Sequence, residues 1–382
     1  MKPVRMLLIM ALLLAAISPI GLAQEVPPFH EYDPPSTLVV PENPVSRARF
    51  PFVDVHNHQF GMPDQDLSEL VEAMDRLNMA VMVNLSGRGF RRLEIAEGKI
   101  SFDLQEGEYL KRAVENVRQN ATGRFLVFTN IRLQDIDDAD WTDRTLAQLE
   151  TDVNHGAQGL KIYKNLGLTE KDSADERIPV DDPRLAPIWE KCGELGIPVL
   201  IHTGEPASFW HPKDANNERL FELMEKPERY RDPAVFPAWA DLMAEQHRMF
   251  RQHPRTVFIN AHLGWLGNDL DQLGKLLDEL PNVYTEIGAV LAELGRQPRF
   301  AREWLIRYQD RVLFGKDSWN PDEYPVYFRV LETADDYFDY YRRRHAFWKI
   351  YGLDLPDEVL KKIYFKNALA VLPGLDASLF PE

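Results

Sequence analysis

Three observations predict an α/β chain folded as a TIM (β/α)8 barrel, with extra C-terminal helices and a long loop after strand 5. Eight short apolar, β-branched runs alternate with longer amphipathic runs after residue 50. Short strands alternating with helices build βαβ units and a parallel sheet, and eight such units favour a closed barrel. The alternative, an open doubly wound sheet, is disfavoured because no G-x-G-x-x-G and no P-loop follows the first apolar run. Finally, three apolar runs end in His, His and Asp, as expected where strand ends surround one mouth. The 382 residues suffice, since such barrels run to roughly 250 residues or more.

Strands are expected at 52–56, 80–85, 125–130, 159–163, 198–202, 257–262, 283–287 and 312–317. Helices are expected at 67–77, 108–119, 143–155, 183–195, 236–252, 269–280 and 298–309. Two of the helices carry start signals. Asp66 with Glu69 three residues on is a capping-box pattern. Asp182-Pro183 puts proline in a first helical turn, where no N–H is needed. The stretch 204–255 is rich in Trp, Phe and Pro, and its first half reads as a loop over the barrel mouth. The tail 322–372 reads as helical, with Tyr337, Phe338, Tyr340, Tyr341, Phe347 and Trp348 packed on the barrel exterior.

Residues 1–23 read as a secretory signal peptide: Lys2 and Arg5, an apolar run, then Pro19, Gly21 and Ala23. The run is short for a membrane span, so a periplasmic or extracellular protein with no membrane association after cleavage is expected. Residues 24–49 are proline-rich and read as an extended arm, 50–372 as the barrel domain, and 373–382 as a tail. The formal charge of −16 argues against nucleic acid and anionic lipid. The single cysteine, Cys192, excludes an intramolecular disulfide and falls in an apolar-periodic run as a core residue.

The chemistry gathers at the strand ends. His56 and His58 lie two residues apart at the end of the first strand, so both face one side. Strand 4 carries Lys161, and strands 5, 6 and 8 end in His202, His262 and Asp317. A polar group ending an apolar strand is costly unless paired or liganded. Imidazoles with a carboxylate suit one or two divalent metals: Zn first, with Mn, Fe and Ni compatible.

The segments DVHNH, GLKIYK, PVLIHTGEP, FINAHLG and VLFGKDSW together resemble the amidohydrolase superfamily, and particularly its amidohydrolase-related (amidohydrolase 2) branch, over about residues 50–372. The resemblance implies that His56, His58 and Asp317 ligate a first metal. His202 and His262 would hold a second, or one of them would polarise substrate. Lys161, if carboxylated by CO2, would bridge two metals; unmodified, it would pair with a carboxylate or bind substrate. Asp317 is then the candidate general base, since a carboxylate beside activated water accepts its proton. Asp54 reads as a residue that orients a histidine. Candidate substrate contacts are Arg88, Tyr163, Glu205, Trp210, Trp265, Glu286 and Trp319.

The expected reaction is hydrolysis of an amide, ester or lactone of a small molecule. The alternative is a mononuclear decarboxylase or lyase acting on an aromatic or unsaturated acid. A non-catalytic binding protein is disfavoured because Asp317 accompanies the histidines. The aromatic tail would equally serve as a homo-oligomer face.

Overall fold

The structure, a computed structural model, describes residues 28, 31–96, 99–105, 107–343 and 345–381, with the backbone alone for 90–96 and 99–103. The expected signal segment, 1–23, lies outside the described residues. The described residues before Val40 and those from Val40 on fall into separate units. In the first, residues 31–39 are exposed.

The second unit is the barrel. Its strands are β1 (Phe52–Asn57), β2 (Met79–Asn84), β3 (Phe125–Thr129), β4 (Gly159–Ile162), β5 (Val199–Ile201), β6 (Phe258–Asn260), β7 (Val283–Glu286) and β8 (Val312–Leu313). Each is paired in parallel with the next in sequence. Two backbone bonds close the ring: Val55 N–H donates to the Phe314 carbonyl at 3.0 Å, and Asp317 N–H to the His56 carbonyl at 2.7 Å. Closure removes the open edges that a flat sheet would present.

Helices cover the outside because each buries one stripe. Leu70, Ala73, Met74 and Leu77 are the buried side of Ser68–Leu77, the i, i+3, i+4, i+7 spacing of one helical face. Asp182 accepts from Arg184 N–H at 2.9 Å with Pro183 beside it, as expected. The capping box at Asp66 does not form. Its carboxylate accepts from the backbone and hydroxyl of Ser68, a local turn that precedes the helix.

Other expectations change. β5, β6 and β8 stop before His202, His262 and Asp317. Left-handed backbone follows two of these strands, with φ 59° at His262 and 86° at Asp317. An antiparallel hairpin, Phe90–Ala96 with Lys99–Leu104, is inserted after β2. The sequence reading has no element there, although Ile100, Phe102 and Leu104 alternate with polar residues.

Among the described residues the tail is helical from Pro321 to Glu332 and again from Asp357 to Val371. The aromatic cluster therefore lies in irregular chain, where the Thr333 hydroxyl accepts from Asp335 N–H and competes with helix continuation. Of its rings, Phe338 and Tyr340 are buried, Tyr341 and Trp348 pack against the core, and Tyr337 and Phe347 are exposed. Trp348 donates to the Ala292 carbonyl and Arg342 to Ser318, on the segments that follow β7 and β8. A widened π-type turn at Lys362–Lys366 leaves the Ile363 carbonyl to accept from Phe314 N–H at 2.9 Å, tying the tail to β8. The end of the arm is anchored too: Asn43 donates twice to Asp335.

Candidate metal centre

Four histidines, one lysine and one aspartate from five strand ends converge at the mouth. His56 Nε2 lies 3.4 Å from Asp317 Oδ1 and 3.5 Å from Lys161 Nζ. His58 Nε2 lies 3.8 Å from the same Asp317 oxygen. The His56 and His262 rings are 4.8 Å apart, and His262 Nε2 faces His202 Nδ1 at 3.3 Å. His56, Lys161 and His262 are essentially fully buried.

The far side of three rings is occupied by protein. His56 Nδ1–H donates to Glu286 Oε1 at 3.0 Å, and His262 Nδ1–H to the Gly288 carbonyl at 2.8 Å. His58 Nδ1 meets Ser86 Oγ at 2.8 Å; Ser86 in turn meets the Tyr163 hydroxyl, which donates to the Leu85 carbonyl. That direction of donation has His58 giving its Nδ1 proton to Ser86. Fixing a proton on one ring nitrogen leaves the lone pair on the other, so all three Nε2 atoms are free to ligate. His202 Nε2 is buried with no hydrogen-bond partner among the described residues. The donor set thus fits a divalent cation: imidazole lone pairs with a carboxylate, crowded where unliganded polar atoms are costly.

Charge at the site follows from burial. Burial lowers His56 and His202 well below the ordinary imidazole value and brings His58 down to about 4, so these rings are neutral near pH 7. Burial likewise brings Lys161 down to about 7, against the opposing pull of Asp317 and Glu286. Burial alone would raise Asp317. The Coulombic pull of the surrounding His56, His262, His58 and Lys161 outweighs it and holds the carboxylate well below its usual range. Asp54 is pushed up to about 6 by burial despite accepting from Tyr324, Asn57 and the backbone of His56 and Lys316. Those bonds tie β1 to the segment after β8.

The remaining candidates scatter. Glu286, expected to contact substrate, has no exposed surface. Oε1 accepts from His56 and from His262 N–H at 2.7 Å, and Oε2 from Gly288 N–H. It forms a geometric group with His56 and His262, but its oxygens are spent on N–H donors, so it acts as their anchor. Gly315 makes the room: a Cβ there would lie 2.3 Å from Glu286 Oε2. Tyr163 supports Ser86 and stacks on His58 at 5.8 Å. Trp210 is buried and donates to the Pro237 carbonyl. Arg88 lines a separate cavity with Trp141, Gln148 and Asp152. Trp319 packs against Tyr324.

Two more candidates join Tyr163 at the mouth. Trp265 stacks on His262 at 4.6 Å and lines a cavity of about 230 Å3 with Ser208, Asn216 and Arg219. Glu205 approaches His202 Nε2 at 4.0 Å. Sequence reasoning missed Ser86, whose only signal is a polar residue just past β2. It also missed Arg231, which the long loop brings onto Glu205.

No curated protein matches the chain. Among solved structures it is similar to 2,6-dihydroxybenzoate decarboxylase complexed with 2,6-dihydroxybenzoate, at 16% identity over 84% of this chain and 98% of that one, with a TM-score of 0.49. It is similar to 4-oxalomesaconate hydratase from Rhodopseudomonas palustris, at 16% identity over 86% and 97%, with a TM-score of 0.49. A probable 2-pyrone-4,6-dicarboxylic acid hydrolase from Acinetobacter baumannii with citric acid bound shares 10% identity over 84% and 98%, with a TM-score of 0.45. The sequence model described as Amidohydrolase matches residues 53–374, nearly all of the barrel unit, and on that match the chain belongs to the amidohydrolase family of enzymes.

Proposed function

We propose that this enzyme hydrolyses a C–N or C–O bond, in an amide, ester or lactone of a small molecule, and that it is exported. One observation carries the hydrolase reading: the rings of His56, His58 and His262 are each held from behind, with Nε2 atoms turned toward Asp317, Lys161 and His202. His56, His58, His202, His262 and Asp317 would hold the divalent metal, Zn foremost, with carboxylated Lys161 as a further ligand if two ions bind. A bound cation supplies Lewis acidity, polarising a carbonyl and acidifying water.

The chain supplies the rest. Asp317 is ionised, and its side chain keeps 32% of its surface open to the mouth. It accepts the proton of the attacking water and returns it to the leaving group. Burial lowers the Lys161 ammonium toward neutrality, which favours the free amine that carboxylation by CO2 requires. Trp265 walls one side of the mouth.

A second reading, a mononuclear decarboxylase or lyase, draws on one observation. His56, His58 and Asp317 form a ready three-ligand group, whereas His202 and His262 lie within hydrogen-bond distance of each other. Metal content of protein expressed with bicarbonate separates the two. About two equivalents, falling to one or fewer in Lys161→Ala, is expected for the hydrolase with a bridging lysine. One equivalent unchanged by the substitution favours the lyase. No metal in either protein sinks both.

A further inference from the structure

The chain carries 60 acidic against 44 basic residues, yet beside the metal centre the balance is locally reversed. Glu205, on the loop after β5, has a 7% exposed side chain. Its Oε1 accepts from Lys164 Nζ at 2.5 Å and from Arg231 Nη2 at 3.1 Å. Two cations therefore share one carboxylate. Its other oxygen faces His202 Nε2 at 4.0 Å, so the cluster borders the candidate metal ligands directly. The charge of Lys164 is felt by both His202 and Lys161.

This group is preassembled. Arg231 N–H donates to the Phe209 carbonyl, its Nη1 to the Glu228 carbonyl, and its guanidinium lies 5.2 Å from the Phe236 ring. Trp239 Nε1 clamps the Glu205 carbonyl at 3.0 Å. Donors remain unspent. Arg231 Nε is buried without a partner among the described residues, and the Lys164 side chain is 42% exposed, with two N–H groups beyond the one given to Glu205.

We propose that Lys164 and Arg231 receive a carboxylate of the substrate beside Glu205, so that the molecule hydrolysed is an acid-bearing amide, ester or lactone. This rests on the hydrolase reading for the reaction, and on the charge surplus alone for the carboxylate. A fixed guanidinium and a mobile ammonium are complementary to a carboxylate. Glu205, accepting from both on one oxygen, holds the two cations side by side.

The test is calorimetric titration of the Zn-loaded and the metal-free protein with benzoate and with its neutral isostere benzamide. Wild type is expected to prefer benzoate. Lys164→Met and Arg231→Met are each expected to weaken benzoate by about tenfold, the scale of one charge-assisted hydrogen bond, and to leave benzamide unchanged. Glu205→Gln, which frees both cations, is expected to tighten benzoate. Lys164→Met alters a half-exposed side chain, so it serves if Arg231→Met misfolds. Equal benzoate binding by wild type, Lys164→Met and Glu205→Gln would overturn the proposal, because the metal alone would then be taking the acid. Benzoate preference in a chain that loads no metal would overturn the hydrolase reading and leave the carboxylate pair standing.

Discussion

On the β1 and β8 side of the mouth each imidazole is held from behind. His56 rests on Glu286, His58 on Ser86 and Tyr163, and the Asp317 backbone on His56 itself. On the β5 side His202 has no such support among the described residues: its Nε2 is buried, without a hydrogen-bond partner, and 4.0 Å from Glu205. The first side is held by hydrogen bonds within the protein. The second adjoins the long loop and the Lys164–Glu205–Arg231 group. The difference separates two tasks. Metal geometry is set by residues whose partners are all internal, while the half that leaves donors unspent is free to respond to what enters.

The sharpest break of that contrast is a pair of carboxamides. Glu286→Gln puts a neutral carboxamide in place of the carboxylate that holds the His56 ring and the His262 backbone N–H, and is expected to weaken metal affinity by about 10- to 100-fold, the usual effect of losing such an orienting partner. Glu205→Gln is expected to leave metal affinity nearly unchanged. Competition with a chelator measures both, and equal losses would erase the contrast. Next in size is Gly264→Ala. This glycine, at φ 57°, lies in a left-handed run with His262, Leu263 and Trp265, and a Cβ would lie 2.4 Å from Asn260 Nδ2. A loss of about 1–2 kcal/mol in denaturant unfolding is expected from the left-handed penalty alone, with wild-type stability counting against the strain argument.

The smallest effect is in pH. In the metal-free chain the His58 value is depressed to about 4 from 6.5. Between those values the unfolded chain binds the extra proton, so stability falls as pH drops from 6.5 to about 4 and levels off below. Melting across that range should slope less steeply in His58→Asn. An unchanged slope would mean that His58 is not buried as a neutral ring.

Why some of this was legible in sequence and some was not comes down to locality. In a barrel, the ends of parallel strands meet whatever the loops do, so His56, His58, Lys161, His202, His262 and Asp317 could be grouped from strand order alone. Glu286 also ends a strand, but its partners depend on space left by Gly315 and on the left-handed turn that delivers His262 N–H. Neither is visible in a pattern of apolar residues. Arg231 reaches Glu205 through a long loop whose path has no periodicity. The hairpin at 90–104 carried its alternation openly. The irregular stretch 333–356 did not, because aromatic residues serve helix and loop packing alike.

The bond from Asp317 N–H to the His56 carbonyl has a consequence for synthesis. It joins the first strand of the barrel to the residue just past the last, so the ligands it links meet only after nearly the whole chain has left the ribosome. A nascent or C-terminally clipped chain has β1 with its two histidines but no Asp317 to face them. High-affinity metal retention would then report completion of the fold, distinguishing a shut ring from every shorter fragment of it.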